Sequence, residues 1–308
     1  MNIRVIEKIA DAVLYEGYLL YPYRLSAVKN RQRFNFGVLY PSEYCDLQLG
    51  SEAWEMKTEC LVLDSASTKI EAKVRFLQLA TRQKCQVGME RDVSAPACNL
   101  ESIAVQSFRQ LFTFEGADDA EGRSSETLEG ELELGASLLD ENLFKVTLSI
   151  RNLANLDGAN ELDRDEVLLR SFISVHSILH AAGGEFVSLL DPPEQYKAAA
   201  AGCQNAGAWP VLAGEEGQRD LVLSAPIILY DYPQIAPESA GDLFDGTEID
   251  EILALRILTM TDAEKLEVRN GDDRARRILE RTEMLPPEHF QKLHGALRGL
   301  RASPEGPR

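Results

Sequence analysis

Two runs of alternating polar and apolar residues, Glu129 to Ser137 and Leu143 to Asn152, flank the turn-forming triplet Asp140-Glu141-Asn142. A period of two puts every apolar side chain on one face of an extended chain, and a one-residue slip would send them all to water. The pair therefore reads as an antiparallel hairpin of fixed register. A lone hairpin is not stable in water, so more sheet must lie beside it. Trp54 to Leu63 (WEMKTECLVL) and Ile70 to Leu79 (IEAKVRFLQL) carry the same alternation. The cluster Asp64-Ser65-Ala66-Ser67 between them predicts a second hairpin. Val105 to Glu115 reads as another strand.

Downstream, Glu166 to Leu179 (EVLLRSFISVHSIL) satisfies helical and strand periods in part, and its β-branched content with the following Gly183-Gly184 favours a strand. Glu185 to Leu190 is then a short strand stopped by Asp191-Pro192-Pro193. Glu194 to Ala201 reads as a helix ended by Gly202, and Asp220 to Tyr230 as one more strand. Ile3, Ile6 and Ile9 mark a short N-terminal helix over Met1 to Ala12. From Gly241 onward the signals are helical: capping-box spacings at Asp245 and Glu248, at Thr247 and Asp250 and at Thr261 and Glu264, and an apolar stripe from Ile249 to Met260. The expected fold is α+β, with a mainly antiparallel β body over 1–235 and a helical C-terminal region over 236–308 docked upon it. Gly116 to Gly130 (GADDAEGRSSETLEG) is short of apolar residues and reads as a solvated loop or as a split within the body.

Charge narrows the function classes. With 32 Lys and Arg against 50 Asp and Glu, the net charge of −18 argues against nonspecific binding to nucleic acid or anionic membrane. No run approaches the roughly 18 to 20 apolar residues that span a bilayer, and the N-terminus shows no uninterrupted apolar signal core, which predicts a cytoplasmic protein without membrane insertion. Five cysteines without a C-x-x-C pair signal neither a disulfide framework nor a zinc finger, so buried reduced thiols are expected.

Against that background Tyr15 to Tyr40 stands apart, with seven aromatic residues and four cations (Arg24, Lys29, Arg31, Arg33) against one acid, Glu16. It reads as strand, basic turn, strand. Its cations pair either with this protein's own carboxylates or with an anionic partner, for which Arg supplies bidentate geometry and Tyr a rigid contact. The residues of that partner site are Tyr21, Tyr23, Arg24, Lys29, Arg31 and Arg33.

Other constellations are weaker. GDLFDGTEID, Gly241 to Asp250, approaches the D-x-D-G-T of haloacid-dehalogenase-type phosphotransferases, but Leu243 stands where the nucleophilic carboxylate is required. A shift of one residue along a strand would turn Asp242 to the opposite face. An acidic site built from Asp231, Asp242, Asp245 and Glu248, at the junction of sheet and helix, is the enzyme alternative. His176 and His180 are a close pair. Four residues apart on a helix they lie roughly 6 Å apart and could share a metal; on a strand the same pair is roughly 13 Å apart and could not. The strand reading makes them packed histidines and implies no cofactor. Nucleotide-binding loops, nucleophile elbows and H-E-x-x-H do not occur.

Three stretches share wording with a known family: YEGYLLYPYR with VKNRQRFNFGVLYP, then GGEFVSLLDPP, then SAPIILYDYPQIAPESAGDLFDGTEIDEILALR, spread from Tyr15 to Arg256. They resemble an uncharacterised bacterial accessory protein encoded with uptake nickel-iron hydrogenases and their maturation factors. The chain departs from that pattern at Leu25, where proline is usual, and at Phe34, where tryptophan is. The resemblance implies a role near hydrogenase assembly, with a hydrogenase subunit or maturation protein as partner, or a place as a structural subunit of the mature complex. It implies no fold, reaction or catalytic residue.

Overall fold

A 28-residue strand, β1 (Glu55–Arg82), is the spine of the molecule. The computed structural model describes residues 3–14, 34–82, 85–120, 122–156, 158–234 and scattered positions between 260 and 284. Within them eight further strands follow: β2 (Cys85–Asn99), β3 (Phe108–Phe114), β4 (Arg123–Ser125), β5 (Leu128–Asp140), β6 (Leu143–Asn152), β7 (Ile173–Val187), β8 (Trp209–Leu212) and β9 (Leu221–Ala225). All pairings are antiparallel, in the order β3-β5-β6-β1-β7-β9-β8, with β2 and β4 also on β1. The sheet is nearly closed and barrel-like.

The expected hairpin at Asp64 to Ser67 is corrected. Leu61 to Asp64 pair with Val187 to Gly184, and Lys69 to Leu77 pair with Ala182 to Ile173, so both halves of β1 lie on the same neighbour and cannot fold back on each other. The cluster is a bulge inside one strand. Thr68 N–H donates to Asp64 Oδ1 at 3.0 Å, and Thr68 Oγ1 donates to the Gly183 carbonyl at 3.1 Å. Opposite it, Gly183 has φ +80°, and a Cβ at Gly184 would sit 2.6 Å from Thr68 Cγ2 and 2.9 Å from the Leu63 carbonyl. The diglycine admits the bulge and does not end the strand.

Elsewhere the patterns fare better. The hairpin β5–β6 pairs in register from Gly130 with Asn152 to Leu138 with Phe144, and the register shifts by one before Asp140 meets Leu143. A helix α1 (Ile3–Leu14) opens the chain. Phe34 to Tyr40 is not the expected strand: it makes a single bridge, Leu39 with Phe172, and leads into α2 (Ser42–Leu47). Leu100–Val105 is α3, capped by the Asn99 side chain, which accepts from Ser102 N–H. Of Glu166 to Leu179 the strand begins at Ile173, because Asp163 and Glu166 form a capping box that starts α4 (Arg164–Leu168). The predicted helix at Glu194 to Ala201 is a 3₁₀ turn followed by α5 (Lys197–Ala201), with Gly202 as C-cap. β3 and β5 pair along their length, and 115–127 is an excursion between them that carries β4.

Alternation sorts the side chains into two layers. The even-numbered β1 residues Met56, Cys60, Val62, Ile70, Ala72, Val74 and Phe76 join Leu132, Leu134, Val146, Leu148, Val175, Leu179 and Val222 in the inner core. Phe76 and Phe172 stack there at 4.6 Å. On the outer face, α1 lays Ile6, Ile9 and Val13 over Val211, Leu221, Leu223 and Ala225.

The chain divides into two compact units, 1–19 with 32–234 and 20–31 with 235–308. In the second, Lys265 and Arg269 both pair with Glu283, at 2.9 and 2.7 Å. The α+β expectation is corrected: the described residues are mostly antiparallel β with short helices, and no helical C-terminal region stands among them. Its cues were local capping and periodicity over 241–260, and 241–259 lie outside the described residues. No helix among the described residues is long and apolar enough to cross a membrane.

Candidate functional site: a charged trough beside the first helix

The outer face of the C-terminal half of β1 is open along one side of α1. Glu71, Lys73 and Arg75 are the outward residues of the alternation, and the register sets them beside His180, Ile178 and His176 on β7. On the other flank, Ser94 and Asp92 of β2 stand opposite Lys73 and Arg75. With Glu7 and Asp11 of α1 as a wall, these strands enclose a cavity of about 520 Å³. Ala95, Pro96, Ala97, Ile178 and Leu221 give it apolar sides.

The helix is held over the sheet by two polar contacts. Arg75 Nη2 lies 2.7 Å from Asp11 Oδ1 and 3.6 Å from a Glu90 oxygen. Ser174 Oγ donates to the Val13 carbonyl at 2.8 Å, one of the carbonyls that the end of a helix leaves without an internal partner. Ser174 has φ +56°, a conformation that costs an L-residue about 1 kcal/mol. It sits where the β1–β7 register shifts, between Arg75 and Leu77.

The two histidines play different parts. His176 is fully buried, and its Nδ1 donates to the Ser174 carbonyl at 2.9 Å, which leaves Nε2 without a hydrogen bond. Burial pushes its pKa down to about 4, with the Arg75 charge adding to the effect, so it is a neutral packed residue. His180 lines the trough, with Nδ1 3.6 Å from Glu71 and Nε2 3.8 Å from Asp220. Neither contact is a hydrogen bond, and Nδ1 of His180 and Oδ1 of Asp220 are buried without a hydrogen-bond partner. Both histidines lie on β7, four residues apart, hence roughly 13 Å apart and unable to share an ion. Among the described residues no group of three or more His, Cys, Asp or Glu is placed to hold a metal.

Of the acidic set, Asp231 accepts from Ser188 Oγ and from the Leu212 N–H at 2.8 Å, which ties the segment after β9 to β8. Asp231 is therefore a backbone pin and not part of the trough. Asp242, Asp245 and Glu248 lie outside the described residues, as do Tyr21, Tyr23, Arg24, Lys29, Arg31 and Arg33. Burial pushes the thiols of Cys45, Cys60, Cys98 and Cys203 up, which disfavours the thiolate that nucleophilic attack or metal ligation needs.

The trough carboxylates escaped the sequence reading, although IEAKVRF already placed Glu71, Lys73 and Arg75 on one face. What the sequence lacked was the distant pairing that sets α1 beside them. No family model matches the chain, and no curated protein matches it.

Proposed function

We propose that this protein is a non-catalytic accessory or assembly factor for a nickel-iron hydrogenase, acting in the cytoplasm through protein–protein contacts. The observation that carries this reading is the resemblance of three separate stretches between Tyr15 and Arg256 to a protein encoded with such hydrogenases. A second observation fits it: the trough is wide, charged and open on the surface, as a contact site requires. The acidic-enzyme alternative is weakened by Asp231, whose carboxylate is engaged in fixing the chain.

The test is affinity purification of the tagged protein from cells expressing the hydrogenase, together with deletion of its gene. Co-purification of a hydrogenase subunit or maturation protein and reduced hydrogenase activity in the deletion strain are expected. Full activity without the gene, and no hydrogenase component in the eluate, would remove the hydrogenase assignment. Cell fractionation checks the compartment, with the protein expected in the soluble cytoplasmic fraction.

A further inference from the structure

We propose that the trough beside α1 is a docking site for a lysine-bearing extended segment of a partner protein. The inference deepens the contact-surface reading above and rests on it, but it does not depend on which partner is bound.

Charge is the first ground. Among the described residues that line the trough, three carboxylates, Glu7, Asp11 and Glu71, meet two cations, Lys73 and Arg75, and Glu90, Asp92 and Asp220 stand against these lining residues. Both cations are engaged: Arg75 with Asp11 and Glu90, and Lys73 with Asp92 at 3.6 Å. Glu7 is exposed, and Glu71 reaches His180 only at 3.6 Å, beyond a hydrogen bond. An ammonium group would supply the missing positive charge at these two carboxylates.

The second ground is shape. A lysine presents a charged head on a four-carbon stem, and such side chains lay the stem on apolar surface while the head stays with polar groups. Ala95, Pro96, Ala97, Ile178 and Leu221 offer that surface within the same cavity. The floor from Glu71 to Arg75 runs along five residues of strand, roughly 13 Å from first to last, which matches an extended segment of similar length. A cavity of about 520 Å³ likewise suits several peptide residues better than a single amine.

The experiment uses the full chain at physiological salt, where nonspecific attraction to the acidic surface is screened. The probe is an acetylated, amidated pentapeptide of alternating lysine and alanine, with its lysine-acetylated form and spermidine as comparisons. Binding is followed by titration, and carbodiimide coupling of carboxylates to lysine amines is mapped by mass spectrometry. Saturable binding with coupling at Glu7 or Glu71 is expected. The folded double variant Glu7→Gln, Glu71→Gln should bind at least tenfold more weakly. The control Asp140→Asn, Glu141→Gln, on the distant β5–β6 turn, should change affinity less than twofold. Acetylated peptide and spermidine should both bind at least tenfold more weakly than the lysine peptide. Coupling that spreads over the surface without Glu7 or Glu71, or an equal loss in the control, overturns the site. Spermidine binding as tightly as the peptide overturns the protein partner in favour of a small amine. If the peptide binds as expected but purification recovers no hydrogenase component, the trough stands and the hydrogenase assignment falls.

Discussion

The two halves of β1 present charge on the same outer face of the sheet and handle it in opposite ways. In the N-terminal half, Arg151 on β6 pairs with Glu55 at 2.9 Å, Glu131 at 2.8 Å and Glu133 at 3.1 Å. Glu133 also takes Arg109 and the Ser107 hydroxyl. Glu59, nearly buried, is held by Lys57, Lys145 and the Gln204 amide. Burial pulls the Glu59 and Glu133 carboxyls upward, yet these partners outweigh it and hold both below the usual range. Four carboxylates thus meet four cations, with the hydrogen bonds made. In the C-terminal half, the described lining of the trough sets three carboxylates, Glu7, Asp11 and Glu71, against Lys73 and Arg75, and His180 and Asp220 keep buried atoms without a hydrogen bond. A closed network stabilises the fold it belongs to, whereas unmatched charge around a cavity leaves capacity for something outside the chain.

If the first network is closed, opening it should be costly. Arg151→Met leaves Glu55, Glu131 and Glu133, all partly buried, without their shared cation. Removing one partner from a desolvated charge cluster costs about 3 to 4 kcal/mol. Denaturant unfolding monitored by circular dichroism should show a loss of that order. A loss below about 1 kcal/mol would mean that water screens this face as well as it does the trough, and the contrast between the halves would fail.

The underside of the trough gives a second, smaller effect, through His176. Its folded pKa, about 4, lies below its ordinary 6.5, so the unfolded chain takes up the proton first as pH falls. Stability from this residue is therefore complete above about pH 6.5 and is lost as pH drops toward 4, by about 3 kcal/mol in total. Glu59 and Glu133, held low, keep their contribution until pH falls to the ordinary carboxylate value, near 4.5, and lose it from there downward, so their window begins near where that of His176 ends. Urea unfolding between pH 7 and about pH 4.5 should show a falling stability that His176→Gln flattens. Parallel curves for the two proteins would show that His176 is not buried neutral beneath α1.

How far all this was legible in the sequence depends on the range of the interaction. The β5–β6 hairpin was readable because alternation and turn chemistry lie within a few residues of each other. The α1 stripe was readable for the same reason. β1 was half legible: the alternation placed Met56 to Val62 and Ile70 to Phe76 correctly by face, but Asp64 to Ser67 and Gly183-Gly184 looked like two chain stops. Each is explained only by the other, since the bulge needs a neighbour without Cβ and 119 residues separate Asp64 from Gly183. β2 was invisible because Gly88 and Pro96 break its pattern, which an edge position beside β1 tolerates. The trough failed for a related reason: its carboxylates come from α1, β1, β2 and the residue just before β9, and no spacing links them. His180 was noticed, but as one of a pair with His176, when its neighbours in space are Glu71 and Asp220.

The smallest expected effect is the sharpest check on the open half. Glu71 is about half exposed, makes no hydrogen bond with His180, and stands among an excess of carboxylates. Replacing it by Gln removes one like charge from that field and breaks no network, so Glu71→Gln should change stability by less than about 0.5 kcal/mol, with a slight gain as the favoured sign. The same substitution at Glu133, with Arg109, Arg151 and Ser107 as partners, should cost more than 1 kcal/mol, since charged hydrogen bonds contribute about 1.5 to 3 kcal/mol each. The two Glu→Gln variants are isosteric and both sit on the outer face of one sheet, so size and propensity cancel between them. What remains is whether each carboxylate has a partner. Equal melting temperatures for the two would erase the distinction between a closed and an open charge cluster. A loss above 1 kcal/mol in Glu71→Gln alone would show that its contact with His180 belongs to the fold, and would leave Glu7 by itself at the mouth of the trough.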